Sequence, residues 1–180
     1  MNFVEPIRNP GKIEEMKQLL LQQSERNYFL FVMGINTGLR ISDLLPLKVR
    51  DVKGKSHLLI FEKKTKKRKK FKLNADLREE IARYIAGKGP DEYLFASTKR
   101  PLPITRVRSY QIINGAASKL GLTEIGCHTM RKTFGYFFYK RTRDIATLQL
   151  IFNHSHPQIT LRYIGINQDI MDEAVEQFSL

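Results

Sequence analysis

Apolar residues recur along most of this chain at three- and four-residue spacings, with one interval of strand character. The pattern therefore predicts a mainly α-helical protein with a small antiparallel β-sheet, an α+β fold. Ile13, Met16, Leu19 and Leu20 form one stripe on a helix opening at Pro10-Gly11. A second apolar helix runs from Tyr28 to about Thr37 and stops at Gly38, a residue suited to the left-handed turn after a helix. Ser56 to Phe61 and Phe71 to Leu73 read as two strands, and Asn74 as the cap of a helix bearing Leu77, Ile81 and Ile85, halted by Gly87 to Pro90. Pro101 and Pro103 mark a loop before a helix with Val107, Tyr110, Ile113, Ala117 and Leu120 as its apolar face. His128 to about Arg141 is predicted helical, with Phe134, Phe137 and Phe138 as its core stripe. Asp144 caps a helix through Phe152, Pro157 opens a short one carrying Tyr163, and Asn167 starts a last one with Ile170, Ala174 and Phe178.

Composition fits one compact domain over residues 1–180. At 180 residues and 42% apolar the chain can bury one sizeable core, and no repeat or low-complexity linker divides it. No apolar run is long enough to cross a bilayer, and no basic-then-apolar leader follows Met1, so no membrane partner and a cytoplasmic location are expected. The single cysteine, Cys127, forms neither an internal disulfide nor a metal cluster and reads as a small residue at a helix start.

Charge changes the picture. Of the 31 basic residues behind the net charge of +13, eight fall in the run Lys63 to Lys72, which contains no acid. Such runs are commonly solvated surface or disordered tails. Here strand-like segments flank the run, which makes it a basic β-hairpin, a finger able to enter a groove and neutralise phosphates with Lys63, Lys66, Lys67, Arg68, Lys69 and Lys70.

Candidate chemistry is concentrated between Cys127 and Ile166. His128 and Arg131 stand one helical turn apart, His154 follows, and Tyr163 lies inside Leu-Arg-Tyr-Ile-Gly. Two imidazoles, a permanently charged fork and a phenol are the groups that attack on a phosphodiester without a metal requires. Upstream, Arg40 sits in Thr-Gly-Leu-Arg-Ile-Ser-Asp-Leu-Leu. Taken singly, each has an ordinary structural reading: a core histidine, an arginine in an ion pair, an interfacial tyrosine. Taken together, from about Phe29 to about Ile166, they resemble the tyrosine recombinase (phage integrase) family, whose motifs TGLR-[ILV]-S-[DE]-LL, H-x-[LM]-R-x-T and H-x8-Y occur in this order.

The resemblance implies a catalytic-domain fold acting on double-stranded DNA through a 3′-phosphotyrosyl intermediate, with Tyr163 as nucleophile and neither ATP nor metal as cofactor. Arg40 and Arg131 would meet charge on the phosphate oxygens, since a guanidinium is planar and never deprotonates. His128 would share a phosphate oxygen or help take the tyrosine proton, and Asp43 would orient an arginine. His154 takes the phosphate-binding position over His156, because it stands nine residues before Tyr163. The family uses a hairpin lysine as general acid; Lys64 matches that position, with Lys66 or Lys67 serving if the turn is shifted. Two departures are visible: Phe152-Asn153-His154 replaces the common Leu-Gly-His, and Lys132-Thr133 follows Arg131 in place of His-Thr.

The family also places a helical DNA-binding domain ahead of the catalytic one, whereas only residues 1–27 precede the Tyr28 helix here. A piece of a longer protein and a short solo catalytic domain both fit. Two other functions compete: a DNA-binding accessory protein on the same fold, and a type IB topoisomerase, which the short H-x8-Y spacing disfavours. Self-association on DNA is expected as well, with residues 167–180 as a helix exchanged between neighbours.

Overall fold

The computed structural model describes residues 4–61, 68–166, 172 and 175–178. Two helices open it. In α1 (Pro10–Gln23) the Asn9 side chain accepts from the Gly11 and Lys12 amides, and proline at the first position has no amide to leave unpaired. Ser24 then ends α1 and caps α2 (Glu25–Thr37), its hydroxyl accepting from Asn27 N at 3.2 Å. The second helix thus starts three residues before the predicted Tyr28, because a cap and not the apolar stripe fixes its first turn. Gly38 ends it at φ +60°, as expected.

Two single-turn helices follow, α3 (Ile41–Leu44) and α4 (Val49–Val52). The latter is too short to leave a periodic signature and was not expected. Strands β1 (His57–Phe61) and β2 (Arg68–Lys72) pair antiparallel, with Ile60 opposite Lys69 and Leu58 opposite Phe71. Here the pattern needs correction: β2 begins at Arg68 and not at Phe71, so Arg68, Lys69 and Lys70 are strand residues with alternating faces. Then come α5 (Ala75–Tyr84), capped by Asn74 as predicted, α6 (Arg106–Lys119), α7 (Cys127–Thr142), α8 (Ile145–Phe152), capped by Asp144, and α9 (Pro157–Tyr163).

The buried side chains form two cores. The larger runs from Ile7 to Met130 and draws on α1, α2, β1, α5 and α6, with Phe29, Leu30, Phe31 and Phe95 fully buried. The smaller comprises Tyr136, Leu148, Phe152, Ile164 and Ile166. Two predicted stripes shift accordingly. On α6, Ile113 and Ala117 are buried as predicted, but Val107 and Tyr110 are exposed, and Ser109, Ile112 and Ala116 are buried instead. On α7, Phe134, Phe137 and Phe138 only rim the small core, while Thr129 to Thr133, Gly135 and Tyr136 face inward. Among the described residues no helix is long and apolar enough to cross a membrane. The expected final helix falls largely outside the described residues; of its stripe, Ile166 is buried and Phe178 is exposed.

Candidate active site

The sequence builds the site at the seam between the two cores. Gly38 ends α2 in a left-handed turn, and Arg40 comes two residues later as the half-buried residue capping α3. An added Cβ at Gly38 would collide with Phe134, so that turn needs glycine for space as well as for φ. From α7, His128 and Arg131 project one turn apart, as their spacing predicts. α9 brings Tyr163 to them: its hydroxyl lies 3.4 Å from His128 Nδ1.

Arg131 is 4% exposed, and its guanidinium is satisfied by backbone: Nη1 donates to Gly38 O and Nη2 to Phe152 O at 2.9 Å. Both acceptors end helices, α2 and α8, where the macrodipole favours a cation. The same group lies 4.0 Å from the centroid of the Phe152 ring. It therefore fastens the two cores together in addition to lending its charge to the site.

His154 follows the α8 C-terminus. Asn153 adopts φ +52°, the left-handed conformation that asparagine tolerates best after glycine, so it replaces the family's glycine without losing the turn. His154 Nδ1 is 3.0 Å from Thr160 Oγ1, Gln149 Nε2 donates to the His154 carbonyl, and the imidazole packs edge-on against Tyr163 with centroids 5.2 Å apart. His156, the competing histidine, is exposed at the start of α9.

Electrostatics divide the labour. Burial raises the Tyr163 pKa above the ordinary phenol value; the cations of Arg131 and Arg40, with a hydrogen bond from Arg131, oppose that shift without cancelling it. Burial lowers the His128 pKa, and Arg106, Arg131, Arg40 and Lys132 push it further down. At neutral pH a neutral imidazole thus faces a protonated phenol, which is the arrangement of an acceptor facing a proton donor.

Arg40, His128, Arg131, His154 and Tyr163 are accordingly neighbours. Lys64, the expected general acid, lies outside the described residues, as do Lys63, Lys66 and Lys67. Arg68 and Lys70 are exposed on the outer face of β2. Lys69 departs from the expected DNA-facing role: it shares the inner face with Phe71, and its ammonium donates to the carbonyls of Ile151 and, at 3.5 Å, Leu150 at the end of α8.

Three residues escaped the sequence reading. Thr160, fully buried, orients His154. Arg106, exposed at the start of α6, adds a cation beside His128. Lys132, noted above only as a departure from the family pattern, is 7% exposed with Nζ 5.4 Å from the Tyr163 ring centroid. A lysine inside an otherwise inward-facing helical segment was the available signal.

Comparisons with known proteins establish the family and the fold. The model for the phage integrase family matches residues 11–169. A probable integrase/recombinase of Bacillus subtilis strain 168, YoeC, is 52% identical over 99% of this chain and 98% of its own length. A tyrosine recombinase of Pseudothermotoga lettingae is 29% identical, and the chain covers 62% of it. Among solved structures, XerA recombinase superposes with a TM-score of 0.76 at 20% identity, over 96% of this chain and 65% of that one. A lambda integrase dimer bound to a COC′ core site gives a TM-score of 0.72 at 16% identity, over 93% and 49%. Family model, relative and fold agree with one another, and the chain belongs to the phage integrase family of tyrosine recombinases.

Proposed function

We propose that this protein cuts and rejoins double-stranded DNA site-specifically through a covalent link between Tyr163 and a 3′ phosphate. The observation that carries the reading is the Tyr163 hydroxyl at 3.4 Å from His128 Nδ1, with the cations of Arg131 and Arg40 acting on the same phenol. In the forward step the phenol oxygen bonds to phosphorus as His128 accepts its proton, and the bond to the 5′ oxygen breaks. Arg40, Arg131 and His154 meet the charge that grows on the non-bridging oxygens. The departing 5′ oxygen takes a proton from a hairpin lysine, assigned to Lys64 by its position in the motif. Reversal, with a 5′ hydroxyl from another strand as attacker, rejoins the DNA. The phosphotyrosyl bond keeps the energy of the bond it replaces, so the reaction as written draws on no ATP or metal.

Arg68, Lys70 and Arg106 add phosphate contacts around the site. Recombination joins strands held by different subunits, so self-association on DNA follows. Exposed Val175 (73%) and Phe178 (69%) support a partner-seeking C-terminal segment. The bacterial chromosome or a mobile element places such a substrate in the cytoplasm.

The test is a pool of nicked duplexes from which the short fragment bearing the freed 5′ hydroxyl diffuses away after cleavage, followed by a denaturing gel. A protein–DNA adduct is expected from the native chain and none from Tyr163→Phe, which removes one oxygen and leaves folding and DNA affinity nearly intact. An adduct formed by Tyr163→Phe would overturn the assignment of the nucleophile.

A further inference from the structure

Residues 4–8, ahead of α1, do not trail into solvent. Glu5 N donates to Glu124 O at 2.8 Å, and Ile7 N donates to Thr133 Oγ1 at 2.9 Å in a buried bond. Ile7 is 2% exposed, at the edge of the larger core. These bonds lay residues 4–8 across the start and middle of α7, behind the catalytic side chains.

From that path Arg8 reaches the far side of the nucleophile. Its Nη2 donates to the carbonyl of Gly165 at 3.0 Å and to Glu5 Oε2 at 3.2 Å, and its guanidinium lies 5.5 Å from the centroid of Tyr136 in the small core. Gly165 is two residues beyond Tyr163, at φ +75°. An added Cβ there would sit 2.7 Å from Arg8 Nη2 and 3.3 Å from Glu5 Oε2, so the glycine allows both the turn and the close approach. On the near side, Lys132 lies over the Tyr163 ring; burial lowers its pKa, and the nearby Glu5 carboxylate opposes that shift.

We infer that residues 5–8 form a positioning strap for the nucleophile: Arg8 anchors the backbone just past Tyr163, and Glu5 holds Arg8. Arg8 and Glu5 are positioning residues and touch no reacting atom. The strap rests on the reading of Tyr163 as nucleophile, and it explains why a tyrosine carried by a seven-residue helix on a five-residue core can keep its place. Misplacing a reacting group by about 1 Å can cost about a hundredfold in rate, so a bond two residues away is enough to matter.

Two measurements on Arg8→Ala, Arg8→Lys and Glu5→Gln test it. In single-turnover cleavage of nicked DNA at saturating protein, Arg8→Ala should be about 10- to 100-fold slower at unchanged DNA affinity. Arg8→Lys, which keeps a donor for Gly165 O, should recover much of that loss, and Glu5→Gln should fall between. Hydrogen exchange, which needs no DNA, should show faster exchange at the Ile164 and Gly165 amides in Arg8→Ala, with the α2 amides unchanged. Equal cleavage rates, or a rate loss matched by lost affinity, would overturn the strap, and so would unchanged exchange. If the native protein forms no adduct, the function fails, and the exchange result alone decides the strap.

Discussion

The two cores differ in size and in what they carry. The larger one holds α1, α2, β1, α5 and α6 around fully buried Phe29, Phe31 and Phe95, and it supports Arg40 and His128. The smaller one, five buried residues from Tyr136 in the second half of α7 through Ile166, supports His154 and Tyr163. On the proposed mechanism one phosphate contact, Arg40, and the proton acceptor, His128, rest on the larger body, while His154 and the tyrosine ride on a satellite that Arg131 fastens to it. Segments with few buried contacts open locally at lower free energy than a main core does. A tyrosine that must approach, bond to and release a DNA end is well served by such a mount.

Arginines test the seam first. Arg40→Lys and Arg131→Lys should each slow cleavage by a hundredfold or more, because an ammonium does not reproduce a bidentate fork on phosphate. Their stabilities should separate them. Arg131 also joins Gly38 O to Phe152 O, so its replacement should cost about 1–3 kcal/mol in denaturant unfolding. Arg40→Lys should cost much less. Equal stability losses would show that Arg131 is no more a fastener than Arg40.

Truncation inside each core comes next. Leu30→Ala and Leu148→Ala both remove a fully buried side chain, and each cavity should cost about 2–5 kcal/mol locally. Leu30→Ala should lower global stability by the whole amount. Leu148→Ala should instead speed hydrogen exchange across α8 and α9 and reduce cleavage, with a smaller change in the melting of α2. Identical exchange patterns would merge the two cores into one.

A smaller effect is read in pH. His128 lies below the ordinary histidine range, so its neutral, proton-accepting form persists as pH falls. The second-order cleavage rate at sub-saturating DNA, which reports the free protein, should stay flat through about pH 6.5 and drop about tenfold per unit only below the lowered pKa. An acid limb already complete above pH 6.5 would remove His128 as the acceptor.

Much of this was legible in the sequence, for identifiable reasons. Asn74, Asp144 and Gly38 act within one turn of themselves, so cap and stop signals located α5, α8 and the end of α2. The motif residues Arg40, His128, Arg131, His154 and Tyr163 were recognisable because their order along the chain is itself informative. Tertiary partners were not. On α6, Ser109 and Ala116 are buried because small side chains let neighbouring helices approach, while larger Val107 and Tyr110 are left outside. No period in a single segment reports that choice. The division into two cores was equally invisible, since Ile164 and Met130 look alike until their neighbours are known. The partners of Lys132 and Lys69 were hidden for the same reason: a cation's partner lies wherever the fold brings a ring or a carbonyl.

The smallest effect separates the lysines of β2. Strand alternation sends Arg68 and Lys70 outward, while Lys69 turns inward onto the last carbonyls of α8, just before His154. A phosphate contact and a helix-end contact leave different traces. Each outward cation that meets a phosphate releases counterions, so Arg68→Ala and Lys70→Ala should each flatten the logarithmic salt dependence of DNA binding by about 0.9. Lys69→Met keeps the aliphatic stem and removes only the charge. It should leave the salt slope unchanged and cost about 0.3–1 kcal/mol, the usual worth of a cation at a helix C-terminus. That loss should appear as faster exchange at the end of α8 and a modest slowing of cleavage through His154. A salt slope that falls for Lys69→Met as far as it does for Lys70→Ala would return Lys69 to the DNA and leave the satellite with one tie fewer.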